Sequence, residues 1–177
     1  MSAFKTLDDL GDVTGKVALV RVDLNLPMND GQVTDDTRIR AAASTVLELA
    51  EKGAKVLLLA HFGRPKGERV STQSLSMVVG AVEKVLGKEV MFVPEIAGDV
   101  VGQSVGILRA GDIAILENTR FWKGEEKNDP AFARELAANG DLFVNDAFSA
   151  AHRAHASTEG LAHLMPAFAG RAMQAEL

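Results

Sequence analysis

The 177-residue sequence contains no cysteine, one tryptophan and only 5% aromatic residues. The absence of cysteine excludes disulfide bonds, thiol catalysis and cysteine-ligated zinc. Basic residues are not in excess either, because 24 Asp and Glu outnumber 19 Lys and Arg and give a net charge of −5. Phe62, Phe121 and Trp122 flank arginines, as base-stacking aromatics do, but non-specific nucleic-acid binders are usually basic. We therefore expect no nucleic-acid partner.

Long apolar runs are absent as well. The longest extend over about five residues, far short of the roughly 20 that cross a bilayer. Residues 1–16 show no cationic start followed by an apolar stretch, so no secretory signal is expected. We expect a cytoplasmic chain with no membrane partner. Its apolar (47%) and charged (24%) fractions have the balance of a globular protein, and its length favours one domain.

Short apolar runs alternate along the chain with amphipathic segments. The runs are rich in Val, Ile and Leu without strict alternation, which is typical of strands buried on both faces. They span Val17–Val22, Val56–Ala60, Ile113–Leu116 and Leu142–Val144, with weaker ones at Val90–Val93 and Ala167–Met173. Helical periodicity covers Thr37–Lys52, Ser74–Leu86 and Asp129–Ala138. Strand, helix and strand in repetition predict an α/β fold, with helices on both faces of a parallel sheet.

Polar and charged side chains follow four of the predicted strands where each strand ends. These segments are Asp23–Asn25, His61–Pro65, Glu117–Arg120 and Asn145–His155. Loops are polar in any case, and Asp or Asn often merely caps the next helix. Ligands of open parallel sheets, however, bind beyond the carboxyl ends of the strands. We therefore expect these segments to meet at one edge of the sheet, together with Arg38 from the first turn of the first helix.

Arginine recurs at this edge in an acidic protein. Guanidinium groups that gather there repel one another unless an anion joins them, and each can grip a phosphate or carboxylate with two bonds. A charge-assisted hydrogen bond contributes about 1.5–3 kcal/mol. Binding of a small anion must also offset association costs of several kcal/mol. Arg38, Arg64, Arg120 and Arg153 together are therefore sufficient for a small, multiply charged anion.

Two motifs point to other functions but lie in the wrong context. The Gly102–Gly106 segment matches the G-x-S-x-G motif of serine hydrolases, with Ser104 as nucleophile, yet no convincing strand precedes it. We expect a helix or loop there instead. Gly11–Lys16 is similar to a phosphate-binding loop, but it is one residue short and precedes the first predicted strand.

Single histidines and one arginine have structural interpretations. His152 and His155 have a spacing that could hold a metal, but the intervening Arg153 argues against a dication. His163 is predicted to be a structural residue of a helix. Arg21 lies inside the first predicted strand, where a paired, partly buried structural role is favoured over ligand contact.

The strand-end segments resemble the signatures of the phosphoglycerate kinase family. The matching segments are Val20–Pro27, Thr34–Ile39, His61–Pro65, Leu116–Asn128 and Val144–Ser157. They occur in the family's order and spacing within a resemblance that extends from about residue 5 to 177. It implies a three-layer, Rossmann-like domain, the N-terminal of the family's two. Residues 1–172 would form this substrate-binding domain, and residues 173–177 would begin the interdomain helix, cut off before the C-terminal nucleotide domain.

The family transfers a phosphoryl group reversibly between ATP and the carboxylate of 3-phosphoglycerate, in glycolysis. By resemblance, the substrate-binding residues would be Asp23, Leu24, Asn25, Arg38, His61, Phe62, Gly63, Arg64, Arg120 and Arg153. Arg38 would be the catalytic residue. The attacking carboxylate is already ionised at neutral pH, so no general base is needed, and positioning with charge stabilisation provides the catalysis.

The resemblance also implies partners. Mg-ATP or Mg-ADP would be bound by the C-terminal domain in cis, so we expect no cofactor or metal in this chain, which would be a monomer and inactive alone. The alternative is a stand-alone module that binds small phosphorylated acids. Ser149-Ala150 stands where the family commonly has Gly-Thr, which puts any main-chain phosphate contact there in question.

Overall fold

The predicted parallel sheet is present in the computed structural model, which describes residues 4–177. In chain order the strands are β1 (Val17–Arg21), β2 (Met28–Asn29), β3 (Gln32–Val33), β4 (Lys55–Leu59), β5 (Val90–Val93), β6 (Ile113–Leu116), β7 (Leu142–Asn145) and β8 (Ala167–Ala169). Six of them form one sheet in the order β5-β6-β4-β1-β7-β8, with every pair parallel. The sequence did not predict the antiparallel hairpin of β2 and β3.

Helices follow most strands of the sheet. They are α1 (Thr37–Glu51), α2 (Val79–Leu86), α3 (Asp99–Ile107), α4 (Pro130–Ala137), α5 (Leu161–Leu164) and α6 (Arg171–Glu176). Short 3-10 turns lie at Leu7–Asp9, Ser71–Gln73, Leu75–Val78, Thr119–Phe121 and Phe148–Ala150, and a π-helical turn spans Ala156–Gly160. In the part of the chain that the structure describes, no helix has the length and apolar character required to span a membrane.

The alternation of side chains along each strand produces a three-layer structure. Ala18 and Val20 of β1 face a core that contains the buried residues of α1 and α2. Val17 and Leu19, which alternate with them along the strand, face a second core that contains the buried residues of α3 and α4. The central strands are therefore apolar on both faces, which explains why their sequences lack strict alternation.

Local signals explain the start of α4 and the end of α2. The Asp129 side chain accepts a hydrogen bond from the Ala131 amide at the start of α4, and Pro130 occupies the first helical position. The end of α2 is set by Gly87, which has a left-handed backbone with φ of 67°. The predicted Ser74–Leu86 helix is correct in place, but its first turn is a 3-10 helix.

The predicted strand Ala167–Met173 is wrong in its second half. β8 ends at Ala169, and α6 begins two residues later. The Asp146 side chain explains the change, because its Oδ1 atom accepts hydrogen bonds from the Ala172 and Met173 amides in the first turn of α6. A cap supplied from the end of β7 is not visible in the local sequence.

The order of the strands places a crevice at the end of β1. Its neighbours β4 and β7 belong to parts of the sheet that the chain builds on opposite sides of β1. Connections that leave in opposite directions open a gap outside the carboxyl ends of the strands, where ligands of such sheets bind.

Candidate anion-binding site

A cavity of about 240 Å³ lies beyond the carboxyl ends of β1, β4, β6 and β7. It brings together most of the predicted site residues. Its lining comprises Asp23, Asn25, Arg38, His61, Gly63, Arg64, Arg120, Ser149, Ala150 and Arg153. The strand-end segments therefore meet at one edge of the sheet, as the sequence predicted.

The loop after β1 is held by its own polar side chains. Asp23 Oδ1 accepts a hydrogen bond from the Asn25 amide at 3.1 Å, and Asn25 Oδ1 accepts one from the Gly63 amide at 3.0 Å. Arg38 reaches this loop from the first turn of α1. Its guanidinium donates to the Asn25 carbonyl, and its Nε lies 3.6 Å from Asp23 Oδ2. These contacts connect the ends of β1 and β4 to α1.

The loop after β4 depends on a glycine and an asparagine. Gly63 has a φ of 64°, and a Cβ atom there would lie 2.8 Å from the side-chain nitrogen of Gln73, so other residues fit poorly. The fully buried Asn118 donates from Nδ2 to the Phe62 carbonyl at 2.7 Å and to the Gln73 carbonyl at 3.0 Å. The main-chain path of the loop is thereby fixed.

The four arginines differ in burial. Arg38, Arg64 and Arg153 are exposed, whereas Arg120 is buried. The Arg120 Nε atom lies 3.3 Å from Glu126 Oε1, but it makes no hydrogen bond of good geometry. Burial lowers the pKa of Arg120; Glu126 and Glu125 oppose this shift, whereas the nearby Arg153 and Arg64 add to it. The lining of the cavity itself contains four arginines and one carboxylate, that of Asp23.

His61 is held from behind by Arg21. A guanidinium nitrogen of Arg21 lies 2.7 Å from His61 Nδ1. Burial is the main cause that lowers the pKa of His61 to about 2, and the charges of Arg21 and Arg120 add to it. Arg21 is fully buried rather than partly buried as predicted, and its hydrogen bonds confirm its structural character. The sequence did not predict the contact between this strand residue and His61.

Leu24 and Phe62 are not part of the cavity lining. Leu24 is 2% exposed and belongs to the core on the α1 side of the sheet. Phe62 is partly buried and packs against the same core. Their side chains point away from the cavity, since they lie between residues that line it. Any ligand contact at these two positions is therefore limited to the main chain.

Sequence reasoning left two lining residues, Ser149 and Ala150, out of the predicted site. The Ser149 hydroxyl donates to Asp23 Oδ2 at 2.8 Å. Ser149 has no positive φ, so the 3-10 turn at Phe148–Ala150 forms without the backbone freedom of glycine. The only signal in the sequence was the departure from the Gly-Thr pair common in the resembled family.

The serine-nucleophile and phosphate-loop motifs lie outside this site. Ser104 lies within α3, where its hydroxyl donates to the Val100 carbonyl at 2.8 Å, so the strand-turn-helix context of a nucleophile is missing. Gly11–Lys16 forms a loop and turn before β1, at the opposite end of that strand from the cavity.

The remaining candidates also have other environments. His152 is exposed and packs edge-on against Phe148, whereas His155 is buried. Within residues 4–177, no three His, Asp or Glu side chains group in a way that could hold a metal ion. His163 is a helix residue, as predicted, and faces Glu159 at 3.8 Å. The Arg69 guanidinium lies over the Trp122 ring, 5.0 Å from its centroid.

The fold and the cavity together define a doubly wound α/β domain with a candidate site for a small anion. The family model "Phosphoglycerate kinase" matches residues 7–177. Because this match covers nearly the whole chain, the chain belongs to the phosphoglycerate kinase family.

Relatives and solved structures agree with this assignment. A phosphoglycerate kinase of Sphingopyxis alaskensis is 68% identical over 177 residues, which are 100% of this chain and 44% of the relative. One from Rhizorhabdus wittichii is 67% identical over 99% of this chain and 44% of the relative. The crystal structure of the Pyrococcus horikoshii enzyme has a TM-score of 0.87 at 33% identity, covering 97% of this chain and 44% of that one. The chain thus spans less than half the length of these relatives.

Proposed function

We propose that this chain is the substrate-binding part of a phosphoglycerate kinase and that its cavity binds 3-phosphoglycerate. The observation that carries the proposal is the surplus of guanidinium over carboxylate: Arg38, Arg64, Arg120 and Arg153 line the cavity, and Asp23 is its one acidic residue. 3-Phosphoglycerate carries a phosphate and a carboxylate on a three-carbon chain. Its charge complements the four arginines, and bidentate guanidinium contacts suit both of its anionic groups.

The positions of the side chains suggest how the substrate is oriented. Arg64, Arg120 and Arg153 are assigned to the phosphate, with His61 as an uncharged donor beside them. Asp23 and Asn25, in the loop after β1, are assigned to the hydroxyl and carboxylate region. Leu24, Phe62 and Gly63 are assigned main-chain contacts only, since Gly63 has no side chain, the Leu24 side chain lies in the core and the Phe62 side chain packs against it.

Arg38 is the proposed catalytic residue. It is exposed at the mouth of the cavity and close to the loop that would hold the carboxylate. The substrate carboxylate is ionised at neutral pH and can attack the terminal phosphoryl group of ATP without a general base. Charge spreads over the phosphoryl oxygens in the transition state, and a guanidinium placed there stabilises it.

The nucleotide is assigned to the part of the family's length that lies beyond this chain. The described residues contain no glycine-rich loop between a strand and a helix that could cradle phosphates. Mg-ATP or Mg-ADP would therefore meet the substrate from a second domain in cis. In the same proposal, residues 1–172 form the substrate domain and 173–177 begin the connecting helix, a boundary that falls inside α6.

The rest of the proposal concerns partners and location. We propose a monomer that acts in the cytoplasm on small molecules, without nucleic-acid or membrane partners. The 177-residue chain would bind substrate but would not turn it over, because the nucleotide and the closure of a second domain over the substrate are required.

Isothermal titration of 3-phosphoglycerate into the 177-residue chain tests the substrate assignment. We expect saturable binding that Arg64→Ala weakens about 10- to 100-fold, since a charge-assisted contact contributes about 1.5–3 kcal/mol. Arg40→Ala is the matched control, because Arg40 is an exposed arginine of α1 that pairs with Asp36 and does not line the cavity. Equal loss in both variants would refute the site. Absence of binding by the folded chain, and also by a chain extended to the family's length, would refute the substrate.

A further inference from the structure

A buried series of hydrogen-bonded polar side chains lies behind the cavity, and the proposed substrate contacts do not use it. It consists of Arg21 on β1, Ser157 in the π-helical turn and Glu125 in the loop before α4. Each of these side chains is 0% exposed. Burying a charged guanidinium and a carboxylate is unfavourable unless both are hydrogen-bonded. The hydrogen-bond partners of Arg21 and Glu125 therefore decide whether this buried pair is stable.

Hydrogen bonds connect the three residues in series. Arg21 Nε donates to Ser157 Oγ at 2.9 Å, and Ser157 Oγ donates to Glu125 Oε2 at 2.5 Å. The Ser157 amide donates to the other carboxylate oxygen at 2.8 Å. Arg21 also donates to the Val22 carbonyl at 2.7 Å. Glu125 thus balances the charge of Arg21 through a serine, and the guanidinium is held in one orientation.

The remaining guanidinium nitrogen of Arg21 faces His61. The distance to His61 Nδ1 is 2.7 Å, and a guanidinium has only donors. His61 Nδ1 must therefore accept, which leaves the ring hydrogen on Nε2. We infer that Arg21 is a positioning residue that fixes His61 as the neutral Nε2–H tautomer, so that the cavity contains an uncharged hydrogen-bond donor at this place. Where it concerns bound substrate, this inference rests on the proposed function.

The surroundings of His61 keep it neutral. The charged and titratable groups that face it are Arg21, Arg120, Arg153 and His155, all of them basic. Burial is the largest cause that lowers its pKa to about 2, and these groups lower it further. A histidine at an anion site would otherwise gain charge near pH 6.5. Here the positive charge of the cavity comes from arginine alone and does not vary between pH 5 and 8.

The tautomer can be read directly by 15N NMR of histidine-labelled protein. In the free 177-residue chain, we expect His61 to show Nε2–H and an unprotonated Nδ1 from pH 5 to pH 8. Arg21→Met removes the donor at similar length, and we expect it to give a mixture of the two neutral tautomers of His61. Arg21→Lys keeps a donor, and we expect it to restore the Nε2–H form in part.

Binding provides the second measurement. The ratio of the dissociation constants of Arg21→Met and wild type for 3-phosphoglycerate should be about 3- to 10-fold at pH 8, where part of the donor is lost. The ratio should be similar at pH 5, because burial keeps His61 neutral in the variant as well. The phosphate of the ligand titrates near pH 6, but its effect cancels in the ratio. A merely structural effect of Arg21→Met would weaken binding without changing the tautomer of His61.

The outcomes separate this inference from the proposed function. Protonation of wild-type His61 between pH 5 and 8, an Nδ1–H tautomer, or an unchanged tautomer in Arg21→Met would overturn the role of Arg21. The expected tautomers without any binding of 3-phosphoglycerate would instead overturn the substrate assignment. If Arg21→Met does not fold, the wild-type spectrum and Ser157→Ala, which removes the anchor of Arg21 Nε, decide the question.

Discussion

Arginine occurs in two contrasting regions of this molecule, the cavity and the start of α6. Arg171 at the start of α6 donates to both oxygens of Glu48 at 2.8 and 2.9 Å, to Asp8 at 2.9 Å and to Gln174 at 3.1 Å. In the cavity, Arg64 and Arg153 make no ion pair with any residue in the range 4–177. The α6 region satisfies its guanidinium within the chain, whereas in the cavity only Arg38 and Arg120 lie near a carboxylate of the described residues, Asp23 and Glu126 respectively.

The electrostatic consequences are opposite. Hydrogen bonds from Arg171 lower the pKa of Glu48 and of Asp8, and these carboxylates raise the pKa of Arg171. In the cavity, burial is the main cause that lowers the pKa of Arg120, and Arg153 and Arg64 lower it further against the opposing effect of Glu126 and Glu125. An arginine with several acceptors stabilises the fold, whereas a group of arginines with few carboxylates nearby is the arrangement expected of a site for an anion. The number of arginines therefore matters less than the balance of acceptors around them.

Removal of Arg38 should produce the largest effect. In a chain extended to the family's length, we expect Arg38→Ala to lower kcat at least about 1,000-fold, the magnitude found for arginines that stabilise phosphoryl transfer. Because Arg38 is exposed, the free energy of unfolding of the Arg38→Ala protein should differ from that of wild type by no more than about 0.5 kcal/mol. Arg38→Lys keeps the charge but not the planar fork and should recover only part of the rate. A kcat within 10-fold of wild type in Arg38→Ala would contradict the catalytic role.

Asp146 is the exception within the α6 region and should give the next largest effect. Its Oδ1 atom caps α6, but its Oδ2 atom is buried without a hydrogen-bond partner. Burial raises the pKa of Asp146 to about 6 from an ordinary 3.8. The folded state therefore binds more protons than the unfolded state between these values, and the contribution of this group to stability falls as pH rises from 4 to 6.

Asp146→Asn should remove that pH dependence, since the amide oxygen keeps the cap and no charge is buried. Between pH 4 and pH 7, we expect the free energy of unfolding of wild type relative to the variant to fall by about 2 kcal/mol, from 1.36 kcal/mol per pKa unit and because part of the change lies below pH 4. Urea unfolding at pH 4, 5, 6 and 7 measures this difference. Asp30→Asn, at an exposed turn, controls for the loss of a carboxylate. Parallel curves for wild type and Asp146→Asn would rule out a costly buried charge.

The sheet and the cavity edge were predictable because their causes are local. Runs of Val, Ile and Leu buried on both faces form strands wherever they lie, and parallel strands end at one edge. Arg38, Arg64, Arg120 and Arg153 could therefore be placed together before any coordinates. The roles of individual residues at this edge followed only from the family resemblance and stay predictions.

Features that depend on distant residues were not predictable. Arg21 and Ser157 are 136 residues apart, and nothing near either of them indicates the pairing. The second half of the run at Ala167–Met173 is helical, because Asp146, the residue after β7, caps this helix. The hairpin of β2 and β3 was missed although Asp30-Gly31 is a typical turn pair, because two residues on each side give no alternation.

A crossed pair of variants tests the contrast between the two regions directly. We expect Arg171→Ala to lower the free energy of unfolding by about 1–2 kcal/mol, because it breaks a half-buried network, and to leave 3-phosphoglycerate binding unchanged. Arg64→Ala should do the reverse, weakening binding without loss of stability. Arg40→Ala, which removes one exposed ion pair, should change stability less than Arg171→Ala does. If Arg171→Ala weakened binding as much as Arg64→Ala, the two regions would not be separate.

Ser149 should give the smallest effect and sharpens the contrast at a single contact. Its hydroxyl donates to Asp23 Oδ2, the same oxygen that lies 3.6 Å from Arg38 Nε. In Ser149→Ala this oxygen loses its hydrogen-bond donor and can turn further towards Arg38. The Asp23 carboxylate would then neutralise more of the positive charge of Arg38 that is proposed to attract the ligand. We expect 3-phosphoglycerate to bind about 2- to 5-fold more weakly, as for one exposed hydrogen bond of about 0.5–1 kcal/mol. Ser149→Ala combined with Arg38→Ala should show no further loss beyond Arg38→Ala, because the acceptor then has no arginine to neutralise. Additive losses would mean that Ser149 acts on the ligand directly and not through Asp23.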